Sequence, residues 1–126
     1  MTRVVLAIGS GLVGDEAERH GMRSLGEART APRYRLLAIE DRWAALVPDD
    51  ETGIPVPGRL FEVPDEQWEA LLAGEPPGLT QEPVELEDGR GGVTSAFADA
   101  SARARATDIT SYGGFVAYLA ARNEAG

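Results

Sequence analysis

The chain has 126 residues, a formal net charge of −9 and 43% hydrophobic residues. That is enough for one domain, residues 1–126, able to bury about two-thirds of its unfolded surface without covalent staples. It holds no cysteine and no lysine, and its single histidine is His20. Thiol nucleophiles, disulfides, thiolate zinc sites, Schiff bases and a phosphate-gripping P-loop lysine are therefore excluded, as is a multi-histidine metal centre. The acidic balance repels nucleic-acid phosphates and anionic lipid, so neither is an expected partner. Catalysis on such a chain runs on carboxylates, hydroxyls, tyrosines, arginines and backbone dipoles; a carboxylate-only magnesium or calcium site stays open, although no EF-hand-like spacing appears, and such catalysis requires no metal or organic cofactor.

In chain order, Arg3 to Ile8 is a compact apolar run, far short of the ~20 residues of a membrane span and too short for a secretory core. It reads as the first strand of a cytoplasmic protein, leaving into the glycine-rich turn Gly9-Ser10-Gly11-Leu12. Asp15 to His20 suits a short surface turn or helix. Tyr34 to Glu40 and Trp43 to Val47 read as two strands joined by a tight turn at Asp41-Arg42, followed by an acidic loop from Pro48 to Gly53. Pro57 to Val63 is a further strand. Pro64-Asp65-Glu66 starts a helix, with proline preset for the first turn and acids at the positive end. Trp68, Leu71 and Leu72 form its buried stripe and Gly74 suits its cap. Thr80 to Glu87 and Val93 to Phe97 form a hairpin around Asp88-Gly89-Arg90-Gly91-Gly92.

Near the C-terminus, Ile109, Tyr112, Phe115, Val116 and Leu119 recur at helical steps. The Gly113-Gly114 pair inside this stretch costs a helix roughly 1 kcal/mol per glycine against alanine. Two readings stand: a close helix–sheet contact that leaves no room for a Cβ, or a notch that faces a ligand. Arg29, Arg33 and Arg35 form the densest basic cluster. Such clusters generally make surface ion pairs, although a guanidinium that faces a pocket suits a small carboxylate. The element order is α+β, a strongly curved sheet or small barrel with packed helices.

Three blocks carry a family resemblance: Thr30-Ala31-Pro32-Arg33-Tyr34-Arg35-Leu36, Val84-Glu85-Leu86-Glu87-Asp88-Gly89 and Asp108-Ile109-Thr110-Ser111-Tyr112-Gly113-Gly114. In this order they resemble the C-terminal domain of allophanate hydrolases, which has the γ-glutamylcyclotransferase-like fold. The resemblance implies a small mixed β-barrel with flanking helices, and a free-standing relative of a domain that otherwise follows an amidase. It also implies a pocket at the turn after the first strand. There Gly9, Ser10, Gly11 and Leu12 match the turn whose backbone N–H groups receive the substrate in γ-glutamylcyclotransferases, an anion nest in physical terms. Sliding the same pattern along from Pro64 puts Glu75 at the acid/base position. Arg33, Tyr34 and Tyr112 lie in the matched blocks and become substrate-binding candidates, a phenol being able to donate to a developing oxyanion.

Where the allophanate hydrolase turn carries a histidine, this chain has Gly11. The resemblance thus leads to an enzyme acting on a small carboxylate-bearing amide or carbamate-like substrate, by cyclotransferase-like or decarboxylase-like chemistry. The alternative is a non-catalytic binding or assembly module on the same fold. A homodimer, or an amidase on a separate chain, is the macromolecular partner this reading allows.

Overall fold

The structure, a computed structural model, describes residues 2–9, 22–40, 43–73 and 78–125. Its elements run β1 (Thr2–Ala7), β2 (Arg23–Arg29), β3 (Tyr34–Ile39), β4 (Trp43–Pro48), β5 (Pro57–Pro64), α1 (Asp65–Ala73), β6 (Leu79–Pro83), β7 (Val93–Ala98), α2 (Ala100–Arg103), β8 (Ala106–Asp108), a 3₁₀ turn (Thr110–Tyr112) and α3 (Phe115–Ala125). All 8 strands join one mixed sheet in the order β2-β5-β1-β7-β4-β3-β8, with β6 also on β7. The class is the α+β expected.

The sheet branches at β7. One edge of this strand is filled by antiparallel β6, from Leu79 opposite Ala98 to Pro83 opposite Thr94. The other edge is shared. Parallel β1 pairs with Val93 and Thr94, and parallel β4 pairs further along at Phe97. Between the two lies Ser95, wholly buried, whose Oγ donates to the Leu6 carbonyl at 2.7 Å. The hydroxyl thus satisfies a β1 acceptor just past the last β1–β7 pair, where a buried carbonyl without a partner would be costly. Thr30 and Thr110, the other buried polar side chains among the described residues, do the same elsewhere. Thr30 Oγ1 accepts the Val56 N–H at 2.9 Å, and Thr110 Oγ1 accepts the Leu36 N–H at 3.0 Å.

Two half-sheets leave this branch, β1-β5-β2 and β4-β3-β8. Among the described residues no pairing joins β2 to β8, so the α+β mixed sheet stands as expected but is open, and the small barrel is not closed. The period-two alternation of strands assigns the faces. In β3, Tyr34, Leu36 and Ala38 enter the main core with Leu6, Leu60, Phe97, Ile109, Phe115 and Tyr118. Leu37 and Ile39 point the other way, to Ala102 of α2. In β5, Leu60 faces the main core, while Phe61 and Val63 pack with Val5 and the half-buried Trp68 of α1. β8 is tied to β3 by Arg35, whose Nε donates to Asp108 at 2.7 Å. Burial pushes the Asp108 carboxyl up, but hydrogen bonds from Arg35 and Thr110 outweigh that and hold it below its usual value.

Several expectations change in detail. β2 and β8 join the sheet, and α2 forms with Asp99 capping it through the Ala102 N–H at 3.0 Å. The predicted Thr80–Glu87 strand stops at Pro83. Residues 84–87 instead cross to the end of β2, where Leu86 bridges Thr30 and the Glu87 N–H bonds the Arg29 carbonyl at 2.9 Å. The Asp15–His20 turn, the Asp41-Arg42 corner and Gly74 lie outside the described residues, as do the side chains of Leu71 and Leu72. Among the described residues no helix is long and apolar enough to cross a membrane.

Ser95→Ala keeps the strand and removes only the bond to Leu6. We expect a loss of about 1–3 kcal/mol, read as a lower urea midpoint with an unchanged slope.

Candidate functional site

The Gly113-Gly114 pair sits at a junction rather than inside a helix. The 3₁₀ turn Thr110–Tyr112 ends on Gly113, whose φ of 82° places it in the left-handed region, open to glycine without penalty. Gly114 then brings the start of α3 against β5: a Cβ on it would lie 2.9 Å from Cγ of Pro57. The close helix–sheet contact therefore explains Gly114. Around Gly113 nothing lies within 4 Å of where a Cβ would be, because that residue faces a cleft.

This open cleft has a volume of about 810 Å³. Its walls come from the end of β2 (Glu27, Ala28, Arg29), the start of β5 (Pro57, Gly58, Arg59), the turn at Glu87, Asp88 and Arg90, and residues 112–117. Tyr112 and Val116 supply exposed apolar surface, 46% and 48% accessible, with the Tyr112 ring braced edge-on against Tyr118 at 5.2 Å. The first turn of a helix leaves backbone N–H groups without helical partners, and its end carries partial positive charge. Here that turn, Phe115 to Ala117, lines the cleft.

Three arginines and three carboxylates line it as well. Arg29 meets Glu87 at 3.2 Å, Arg90 meets Asp88 at 2.7 Å and Arg59 approaches Glu27 to 3.8 Å. Exposed pairs of this kind are worth at most about 1 kcal/mol, so they set the charge pattern rather than the stability. The Arg90 backbone N–H holds the Asp88 carboxyl below its usual value; burial opposes this, and a hydrogen bond from the Arg90 side chain adds to the lowering.

The structure divides the expected binding residues. Tyr112 lies in this cleft. Arg33 and Tyr34 line a second, smaller one of about 530 Å³ with Pro48, Glu82, Glu85 and Phe97. Arg33 is paired with Glu85 at 3.2 Å. Tyr34 is buried, its hydroxyl accepting the Glu85 N–H at 2.9 Å and its ring edge-on to Phe97. The basic cluster as a whole resolves into ion pairs, Arg29–Glu87, Arg33–Glu85 and Arg35–Asp108. Gly9 is buried at the end of β1 against Ala44, whose Cβ would lie 2.8 Å from a Cβ there. Ser10, Gly11, Leu12 and Glu75 lie outside the described residues. Among the described residues no three His, Asp or Glu side chains gather as a metal ion would require.

A family model described as the allophanate hydrolase C-terminal domain matches residues 6–120. The chain belongs to that family. Its fold is shared with a uropathogenic E. coli-specific protein at 27% identity and a TM-score of 0.87, over 95% of this chain and 97% of that one. Kluyveromyces lactis allophanate hydrolase matches at 24% identity and a TM-score of 0.85, over 94% of this chain but only 21% of the hydrolase. A gamma-glutamyl cyclotransferase matches at 13% identity and a TM-score of 0.59, over 86% of this chain and 70% of that one. The last two likenesses speak for the fold alone. A comparison with curated proteins returned no match.

Arg59 and Arg90 were missed by sequence reasoning, since only strand register and the 84–92 crossing bring them beside Tyr112. Gly114→Ala should cost about 1–3 kcal/mol by overpacking against the rigid Pro57 ring. Gly91→Ala, with open space around it, should stay within about 0.5 kcal/mol. Thermal melts of the two variants check this.

Proposed function

We propose that this member of the allophanate hydrolase C-terminal domain family binds and turns over a small amide or carbamate-like molecule that bears a carboxylate. The observation that supports it most is the cleft itself. It joins a helix start and guanidinium groups, both suited to an anion, to the exposed Tyr112 ring, suited to a flat amide. In a cyclotransferase-like reaction an internal amine attacks the amide carbonyl, and the departing amine takes up a proton. In a decarboxylase-like reaction the N–C bond breaks, carbon dioxide leaves and the nitrogen electron pair takes up a proton. Glu75 is the proposed carrier of that proton and the Gly9–Leu12 turn the proposed second anchor, both by family resemblance. No cofactor takes part in either version, and the site is that of a soluble, cytoplasmic domain.

A second reading, a binding or assembly module, is favoured by one feature of the cleft: each of its three carboxylates, Glu27, Glu87 and Asp88, faces an arginine partner. The K. lactis hydrolase contains this fold as about a fifth of its length, so an amidase on another chain is the partner proposed for such a module.

The test is a screen of γ-glutamyl amines, allophanate and ureido acids, following 5-oxoproline and carbon dioxide in parallel for the wild type and Glu75→Gln. We expect turnover by the wild type that falls at least about 100-fold in the variant, the scale of general acid–base catalysis. Turnover that ignores the substitution removes Glu75. Saturable binding with no turnover establishes the module instead.

A further inference from the structure

The three guanidinium groups of the cleft are not equally available. Arg29 is held twice by one residue: its side chain meets the Glu87 carboxylate at 3.2 Å, and its carbonyl accepts the Glu87 N–H at 2.9 Å. Arg90 is closed on itself, with Nε on one oxygen of Asp88 at 2.7 Å and its own N–H on the other at 3.0 Å. Arg59 is different. It stands directly across from Glu27 in the β5–β2 register, yet the nearest approach of the two side chains is 3.8 Å, beyond hydrogen-bond reach. Glu27 is 86% accessible on its side chain and so is free to swing into water. The Arg59 backbone, by contrast, is held in the interior strand β5 between buried Gly58 and Leu60.

We infer that Arg59 is the guanidinium that receives the ligand's carboxylate, with Glu27 as the built-in competitor the ligand displaces. This rests on the cleft being the ligand site. A planar carboxylate offers the guanidinium two parallel N–H···O bonds, which Glu27 at its present distance does not. The same inventory sets the ligand's charge. One guanidinium is open, while Glu27, Glu87 and Asp88 leave a second anionic group facing like charge. The ligand is therefore a monocarboxylate whose remaining part is a neutral amide or urea lying on Tyr112.

Titration calorimetry at pH 7 and low salt tests this, with N-carbamoylglycine as the one-carboxylate probe and N-carbamoylaspartate as the two-carboxylate probe. Glu27→Gln removes the competitor and should tighten N-carbamoylglycine about two- to five-fold. Arg59→Ala should weaken it about ten-fold or more, and N-carbamoylaspartate should bind the wild type more weakly than N-carbamoylglycine. The gain in Glu27→Gln cannot arise from a damaged fold. Equal binding of N-carbamoylglycine by all three proteins overturns the role of Arg59 and leaves the cleft standing. Tighter binding of the two-carboxylate probe overturns the monocarboxylate assignment. No binding of either probe, nor of γ-glutamyl amines or allophanate, by the wild type overturns both this inference and the reading of the cleft.

Discussion

The bond from the Ser95 hydroxyl to the Leu6 carbonyl marks the constraint on which the rest of the structure depends. A single strand, β7, holds two half-sheets on one edge, and a strand offers only one row of ladder partners per edge. β1 and β4 must therefore part company along it. Where they separate, backbone groups face the core without a ladder neighbour, and burial makes that expensive. A short hydroxyl side chain answers the demand without adding volume. Thr30 and Thr110 answer it at two other seams, between the end of β2 and Val56 and between β3 and the 3₁₀ turn.

The cleft follows from this branching. The half-sheet β1-β5-β2 carries Glu27, Arg29, Pro57 and Arg59. The half-sheet β4-β3-β8 leads into the 3₁₀ turn, and Thr110 pins that turn to Leu36. Gly113 then ends the turn in a left-handed conformation, and Gly114 lets α3 lie against Pro57 of the opposite half. The start of α3 thus bridges from one half-sheet to the other, and the space left beside it is the cleft. The crossing at residues 84–92 closes a third wall, held by the Leu86–Thr30 bridge and the Glu87–Arg29 contacts.

Much of this was legible in the chain and some was not, for physical reasons. β3, β4 and β5 announce themselves because burial writes an apolar pattern into them. β2 does not, since Arg23–Arg29 is exposed along nearly its whole length and carries no alternation to read. β8 is three residues long, too short for any period. The two glycines were recognisable as a misfit in a helix, yet only a left-handed φ at Gly113 shows that the helix begins after them. The three family blocks pointed to the fold that the family match establishes. They grouped Arg33 and Tyr34 with Tyr112, however, while Arg33 and Tyr34, at the start of β3, line another cleft. Arg59 carried no local signal at all, because its place beside Glu27 is a matter of register between strands far apart in sequence.

The central claim is that a small carboxylated amide sits in the cleft between Arg59 and the start of α3. Two-dimensional amide NMR during titration with N-carbamoylglycine tests it most directly. The account predicts that the largest shifts fall on residues 27–29, 58–59 and 113–117. Shifts confined to residues 9–12, with the Gly113 and Gly114 amides unmoved, would contradict it.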